Sequence, residues 1–131
     1  MGGVAQEQRE FQQAEQYYQQ ALQIYIEYND RYEQAGTYHQ LGGVAQEQRE
    51  FQQARDFFLH ALEIFVATED NYSLSIVLRS LARLWQASGD ETLPTIIAPL
   101  LNSTSTEVEE VLRNMLEKKS DEPNSEHLTE G

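Results

Sequence analysis

The sequence feature that most constrains the fold is an internal duplication. The string GGVAQEQREFQQA stands at residues 2–14 and again, unchanged, at residues 42–54, a spacing of 40 residues. A period of this length is typical of helical arrays in which each unit is one helix–turn–helix element. Such units bury their apolar surface against neighbouring units, so the duplication predicts an array instead of a single globular core.

Residues beyond the string keep the same register. Leu22 recurs as Leu62, and Tyr25 recurs conservatively as Phe65. A third, degenerate copy follows the second. In the second copy, apolar and small residues recur at spacings of three and four, which indicates two helices without any strand. These residues are Tyr38, Leu41, Ala45, Phe51, Ala54, Phe58, Ala61, Leu62 and Phe65.

Short polar pairs predict the turns. Asn29-Asp30 and Glu69-Asp70 separate the copies, and Asp30 with Glu33 forms a candidate capping box. Ser88-Gly89-Asp90 marks the turn of the third copy. The turns inside the first two copies fall by alignment at Arg9-Glu10 and Arg49-Glu50, although neither carries a glycine.

The signature of the second copy resembles that of the tetratricopeptide repeat. An aromatic residue, a Leu-Gly pair, further aromatic residues, an alanine and an Ala-Leu pair recur at the separations typical of that family. The usual unit has 34 residues. The longer unit found here is similar to the subclass seen in kinesin light chains and in many bacterial repeat proteins. Ala45 and Val66 depart from the pattern, where an aromatic residue and a proline are usual.

The resemblance implies an all-α fold, an α–α superhelical solenoid of about 2.5–3 helix–turn–helix repeats with a C-terminal capping helix. We expect repeats over residues 1–101, with an incomplete first unit (1–30), a second unit (31–70) and a degenerate third unit (71–101). A capping helix (102–119) and a disordered acidic tail (120–131) are expected to follow.

The C-terminal third carries its own boundary signals. Pro94 suits the first turn of a short helix, and Pro99 should bend or shorten that helix. Two candidate capping boxes could begin the capping helix, Thr104 with Glu107 or Thr106 with Glu109.

Small residues and aromatic residues predict two kinds of contact. Gly42, Ala54 and Ala61 should allow close approach of helices. The first copy lacks the start of its first helix, so the large apolar residues of its second helix should be exposed. We expect this surface to complete a longer array or to self-associate as a homodimer, through the open repeat or by swapping equivalent helices. The candidates are Tyr17, Tyr18, Ile24, Tyr25 and Tyr28.

Composition argues against several functions. The formal net charge of −13 disfavours nucleic acid and anionic membranes as partners. No apolar run approaches the roughly 20 residues of a membrane helix. The absence of cysteine fits a reducing compartment, and we expect a cytoplasmic protein. No metal-ligand spacing, phosphate loop or nucleophile motif is present, so we expect no catalytic residue, no metal site, no cofactor and no enzymatic activity.

Binding of a protein or peptide is the function that the resemblance implies. In that family the first helices of successive units line a concave groove, which makes this chain a candidate adaptor or scaffold. Arg79 and Arg83 lie one helical turn apart and could bind a carboxylate, or could pair within the chain. Gln40 and Gly43 do not match the family's chaperone-binding clamp. The groove candidates are His39, Gly43, Gln46, Glu47, Arg79, Arg83 and Gln86.

Overall fold

The structure is a computed structural model that describes the backbone of residues 2–130 and the side chains of residues 7–117. Over this range the regular secondary structure is entirely helical, as the spacing of the apolar residues predicts. The helices are, in chain order, α1 (Gly2–Glu27), α2 (Arg31–Glu47), α3 (Phe51–Ala67), α4 (Asn71–Ser88), α5 (Leu93–Leu101) and α6 (Ser105–Glu130).

The chain divides into two compact units, Met1–Val77 and Leu78–Gly131. The first contains α1, α2 and α3 with the start of α4, and the second contains the rest of α4 with α5 and α6. In the first unit α1 packs on α2, and α2 packs on α3. This packing of sequential helices confirms the predicted all-α repeat fold.

Three turns of the first unit share one backbone geometry. Asn29, Arg49 and Glu69 have φ values of 56°, 62° and 59°, in the left-handed region. At the middle turn the Arg49 N–H donates to the carbonyl oxygen of Gln46, and the Glu50 N–H donates to that of Ala45, both at 2.9 Å. This pair of hydrogen bonds defines the Schellman ending of a helix, where glycine is the usual left-handed residue. The predicted turns at Asn29-Asp30, Glu69-Asp70 and Arg49-Glu50 are therefore confirmed.

The residue that begins the next helix differs among these turns. Asp30 accepts a hydrogen bond from the Glu33 N–H at 3.2 Å, and Asp70 accepts one from the Ser73 N–H at 3.1 Å. The backbone N–H of Asp30 closes the preceding helix, so the predicted capping box is formed in one direction only. Glu50 makes no side-chain capping bond. The turn at Arg49, which lies within one 40-residue repeat, thus lacks a stabilising N-cap that the turns between repeats, at Asn29 and Glu69, both have.

The hydrogen bonds that cap the start of α4 also lower the pKa of Asp70. The Ser73 hydroxyl and the Ser73 backbone N–H donate hydrogen bonds to Asp70, and they hold the pKa of Asp70 below its ordinary value of 3.8. The Tyr32 hydroxyl adds a further hydrogen bond to the same carboxylate. Donors stabilise the charged form of a carboxyl group, which explains the direction of the shift.

The turn predicted at Arg9-Glu10 is wrong, because α1 is one continuous helix of 26 residues. Glutamine, glutamate, arginine and alanine around this position are good helix formers. A turn would place an arginine in the left-handed region, at a cost of about 1 kcal/mol. In the second copy the packing of α2 on α3 outweighs this cost.

The contact of α2 with α3 depends on small residues. A Cβ atom added to Gly42 would lie 2.5 Å from two carbon atoms of the Phe58 ring. Phe58 is itself buried, and Ala54 and Ala61 of α3 are completely buried. The close approach predicted at Gly42 is confirmed, and this position tolerates no larger residue without a shift of the ring.

The second unit follows its sequence signals. α4 ends at Ser88, Gly89 has a φ of 70°, and Pro94 occupies the first turn of α5. Pro99 lies inside α5, which ends two residues later at Leu101.

The last helix begins at a complete capping box. The Glu107 N–H donates to Thr104 Oγ1 at 3.1 Å, and the Thr104 N–H donates to Glu107 Oε1 at 2.9 Å. Thr104 with Glu107 is therefore the correct choice of the two predicted boxes. Val108 and Leu112 are buried, and α6 packs on α5. The tail predicted to be disordered, 120–131, falls beyond the side chains that the structure describes and stays a prediction.

Candidate partner-binding surfaces

One side of α2 is open at two glycines. Ideal Cβ atoms built on Gly36 and Gly43 have no neighbouring atom within 4 Å. Tyr32 and Glu47, which lie on the same side at helical spacing, are exposed, although the ring of Tyr32 also lies 5.8 Å from that of Phe65 in α3. We call these four residues the open face of α2. It lies away from Gly42, whose side of the helix is closed by α3.

The groove candidates of the first unit do not all lie in the same environment. Gly43 and Glu47 belong to the open face, and the half-buried Gln46 lies beside them. His39 is half-buried, and its ring centroid is 5.5 Å from that of Phe58, a buried residue of α3. His39 therefore lies at the border between the open face of α2 and the packing of α2 on α3.

An aromatic cluster that the sequence reading did not single out joins α2 to α3. The ring of Tyr38 lies 4.6 Å from that of His60 and 6.3 Å from that of Phe57, measured between centroids. The first contact has edge geometry, with the ring planes at 68°. Edge contacts between aromatic rings contribute about 1 kcal/mol. Only the helix pairing brings these positions together, so a pattern along one helix carries no signal for them.

The remaining groove candidates belong to the second unit. Arg79 is half-buried, whereas Arg83 and Gln86 are exposed. The buried Nε atom of Arg79 has no hydrogen-bond partner within the described part of the chain. A buried donor without an acceptor costs free energy.

The outer side of α1 carries exposed apolar residues. Tyr17 is 66% exposed, Ile24 is 50% exposed and Tyr28 is 78% exposed, whereas Tyr18 and Tyr25 are half-buried. The residue of α3 that corresponds to Ile24 is Ile64, which is only 5% exposed. The same position of the repeat is therefore covered in the second copy and open in the first.

A shallow surface depression lies at the end of the first unit where α2 turns into α3. Its wall includes the aliphatic residues Leu41 and Val44, and its rim includes two carboxylates, from Glu15 and Glu50. The other lining residues are Ala45, Gln48, Gln53 and Phe57.

The described side chains offer no site for an ion. Among residues 7–117, no group of three or more His, Asp or Glu side chains converges as metal ligands would.

None of the helices, as far as the structure describes them, combines the length and apolar character that crossing a membrane requires.

Comparison with known families returns one match. The family model described as tetratricopeptide repeat matches residues 1–65 and residues 33–92, which together cover more than half of the chain. No curated protein and no solved structure matches the chain significantly.

Proposed function

Because the chain belongs to the tetratricopeptide repeat family, whose repeats generally mediate protein–protein interactions, we propose that it binds a peptide or a helix of another protein along the open face of α2. The observation that carries this proposal is the open space above Gly36 and Gly43. Two glycines on one face expose helix backbone and allow a partner to approach closely. Gln46 and Glu47 then supply polar side chains at the edge of the contact.

Filling the open face tests this proposal. Gly43→Leu adds a large side chain where no atom lies within 4 Å, so it should leave the fold intact while blocking the approach of a partner. Peptides selected from a displayed random library on the wild-type chain should bind Gly43→Leu at least tenfold more weakly. Equal affinity for both chains, by fluorescence anisotropy, would exclude the open face of α2.

Within the second unit, we propose that Arg79 and Arg83 bind an acidic group of a partner. The exposure of Arg83 and its position one helical turn after the half-buried Arg79 support this role. Arg83→Ala should weaken binding of acidic peptides, and the effect should decrease with added salt. Arg113→Ala is the matched control, because Arg113 is an exposed arginine that contacts Trp85 and Glu109 of the same unit. Equal losses in the two variants would indicate a non-specific effect of charge.

A second function, self-association, is supported by the exposed side of α1. Two protomers that bury Tyr17, Ile24 and Tyr28 against each other would cover an exposed apolar surface that includes Ile24, whose counterpart Ile64 is buried in the second copy. Light scattering over a range of concentrations should detect a dimer that Ile24→Glu removes. Ile76→Glu is the control, because Ile76 is 40% exposed on another helix. A dimer that both variants leave unchanged would exclude the α1 surface.

A further inference from the structure

The duplicated string has two conformations in one molecule. At residues 2–14 all of it is helix, within α1. At residues 42–54 the same letters form the end of α2, a turn at residues 48–50 and the start of α3. No difference within the string can cause the difference in conformation. The segment 48–50 is therefore compatible with a continuous helix whenever the packing around it allows one.

The turn at residues 48–50 has little local support. Arg49 holds a left-handed φ of 62°, which side chains other than glycine and asparagine adopt at a cost. Glu50 precedes α3 without a side-chain capping bond, whereas Asp30 and Asp70 cap the helices after the other two turns. Straightening the segment would release the unfavourable φ and forfeit no side-chain N-cap, and helical hydrogen bonds would replace those of the Schellman turn.

The contacts that hold the turn can also form between two chains. Gly42 and His39 of α2 lie against Phe58 of α3, and the ring of Tyr38 lies 4.6 Å from that of His60. These contacts join two separate helices, so they need both helices but not both from one chain. Exchange of α3 between two protomers would keep every one of them and change only the connection.

We propose that residues 48–50 are the hinge of a helix exchange with a second copy of this chain. In the exchanged dimer, α2 and α3 form one helix over residues 31–67, about 55 Å long, and each α3 packs on the α2 of its partner. Residues 8–10 of the first string already have the helical conformation that residues 48–50 would adopt in the exchanged dimer. This inference rests on the self-association proposed above, but it names a different contact from the exposed side of α1.

Crosslinking between chains detects the exchange directly. The chain contains no cysteine, and the rings of Tyr38 and His60 lie 4.6 Å apart across α2 and α3. Tyr38→Cys and His60→Cys are made in separate chains, which are unfolded together in urea and refolded at high protein concentration. A short bismaleimide reagent should join the two different chains covalently. The doubly substituted chain, refolded at high dilution, should crosslink within itself.

Hinge variants provide the second measurement. Arg49→Gly favours the left-handed turn and disfavours the continuous helix, so it should lower the exchanged fraction roughly tenfold. Arg9→Gly places the same substitution in the same sequence outside the hinge and should leave that fraction unchanged. If both substitutions lower the exchanged fraction equally, or if neither lowers it, residues 48–50 are not the hinge.

Ile24→Glu separates this inference from association through α1. If it abolishes the dimer while Arg49→Gly does not, self-association stands and the helix exchange is wrong. If Arg49→Gly abolishes the dimer and Ile24→Glu does not, the exchange is supported. A wild-type chain that stays monomeric and uncrosslinked at every concentration overturns both.

Discussion

Residues 2–14 and 42–54 have one sequence and two structures. The first is a straight helical segment, and the second contains a Schellman turn with Arg49 in the left-handed region. Local propensity acts equally on both, and it favours helix. Residues 31–41 precede the second string and belong to α2, which packs along α3. We expect this packing, and not the local sequence, to produce the turn.

Adding the segment that packs on α3 to the first copy should have the largest effect on structure. A copy of residues 31–41 joined directly before Gly2 would give the first string the same preceding sequence as the second. We expect α1 to break at residues 8–10 and Arg9 to adopt a positive φ, because the added segment can pack on residues 14–25 as α2 packs on α3. The Cα and carbonyl chemical shifts of Arg9 report this change.

A scrambled extension of equal length is the control for that experiment, and it should leave α1 straight. A helical shift at Arg9 in both chains would mean that packing is not the cause of the turn.

Gly42→Ala should have the next largest effect, because it disrupts the packing that holds the second turn. The added Cβ would lie 2.5 Å from the Phe58 ring, and overpacking of this kind costs about 1–3 kcal/mol. Gly43→Ala is the matched control. It meets no atom within 4 Å and should stabilise α2 by up to about 1 kcal/mol. Urea denaturation measures both, and a loss of equal size at the two positions would contradict the close contact.

An aspartate at the capping position should stabilise the chain in the second string and destabilise it in the first. Glu50→Asp supplies the N-cap that α3 lacks and should stabilise the chain by about 0.5–1 kcal/mol. Glu10→Asp puts a poorer helix former inside α1 and should destabilise it by a few tenths of a kcal/mol, about the difference in propensity. Thermal unfolding of both variants decides the point, since effects of the same sign would mean that the two strings share a conformation.

The smallest expected effect concerns the cap that Glu50 lacks and Asp70 has. The pKa of Asp70 is lowered in the folded chain by hydrogen bonds from Ser73. The stabilisation that it provides is therefore complete above the unfolded pKa of about 3.9 and is lost as the pH falls through the lower folded value. Asp70→Asn should accordingly be less stable than wild type at pH 7, and the gap should narrow below about pH 4. A gap that is constant between pH 7 and pH 3 would contradict this assignment.

The sequence predicted turns and close helix contacts correctly where the residue type itself favours them. Asn29, Asp30 and Asp70 have the side chains that helix ends prefer, and the turns lie at these residues. The same holds for Gly42, whose small size the contact with Phe58 requires. The alignment of the copies located the turn at Arg49 and misplaced one at Arg9, because alignment transfers structure only where the packing partners are repeated too.

The candidate surfaces were less predictable, since they depend on contacts between helices. Helical spacing placed Gly43 and Glu47 on one face, and both border open space or solvent. It placed His39 on the same face without any indication that the ring lies beside Phe58. The cluster of Tyr38 with His60 was missed for the same reason, because residues on different helices share no sequence period.

The aspartates after the repeat turns have a consequence for how such a gene can grow. The N–H of Asp30 closes one helix and its side chain begins the next, and Asp70 does the same one period later. A DNA segment that is duplicated between these two codons therefore carries a complete stop and start signal at its junction. Recombination at this point adds whole units and leaves the helix ends at each junction capped, which favours arrays that lengthen and shorten in steps of one period.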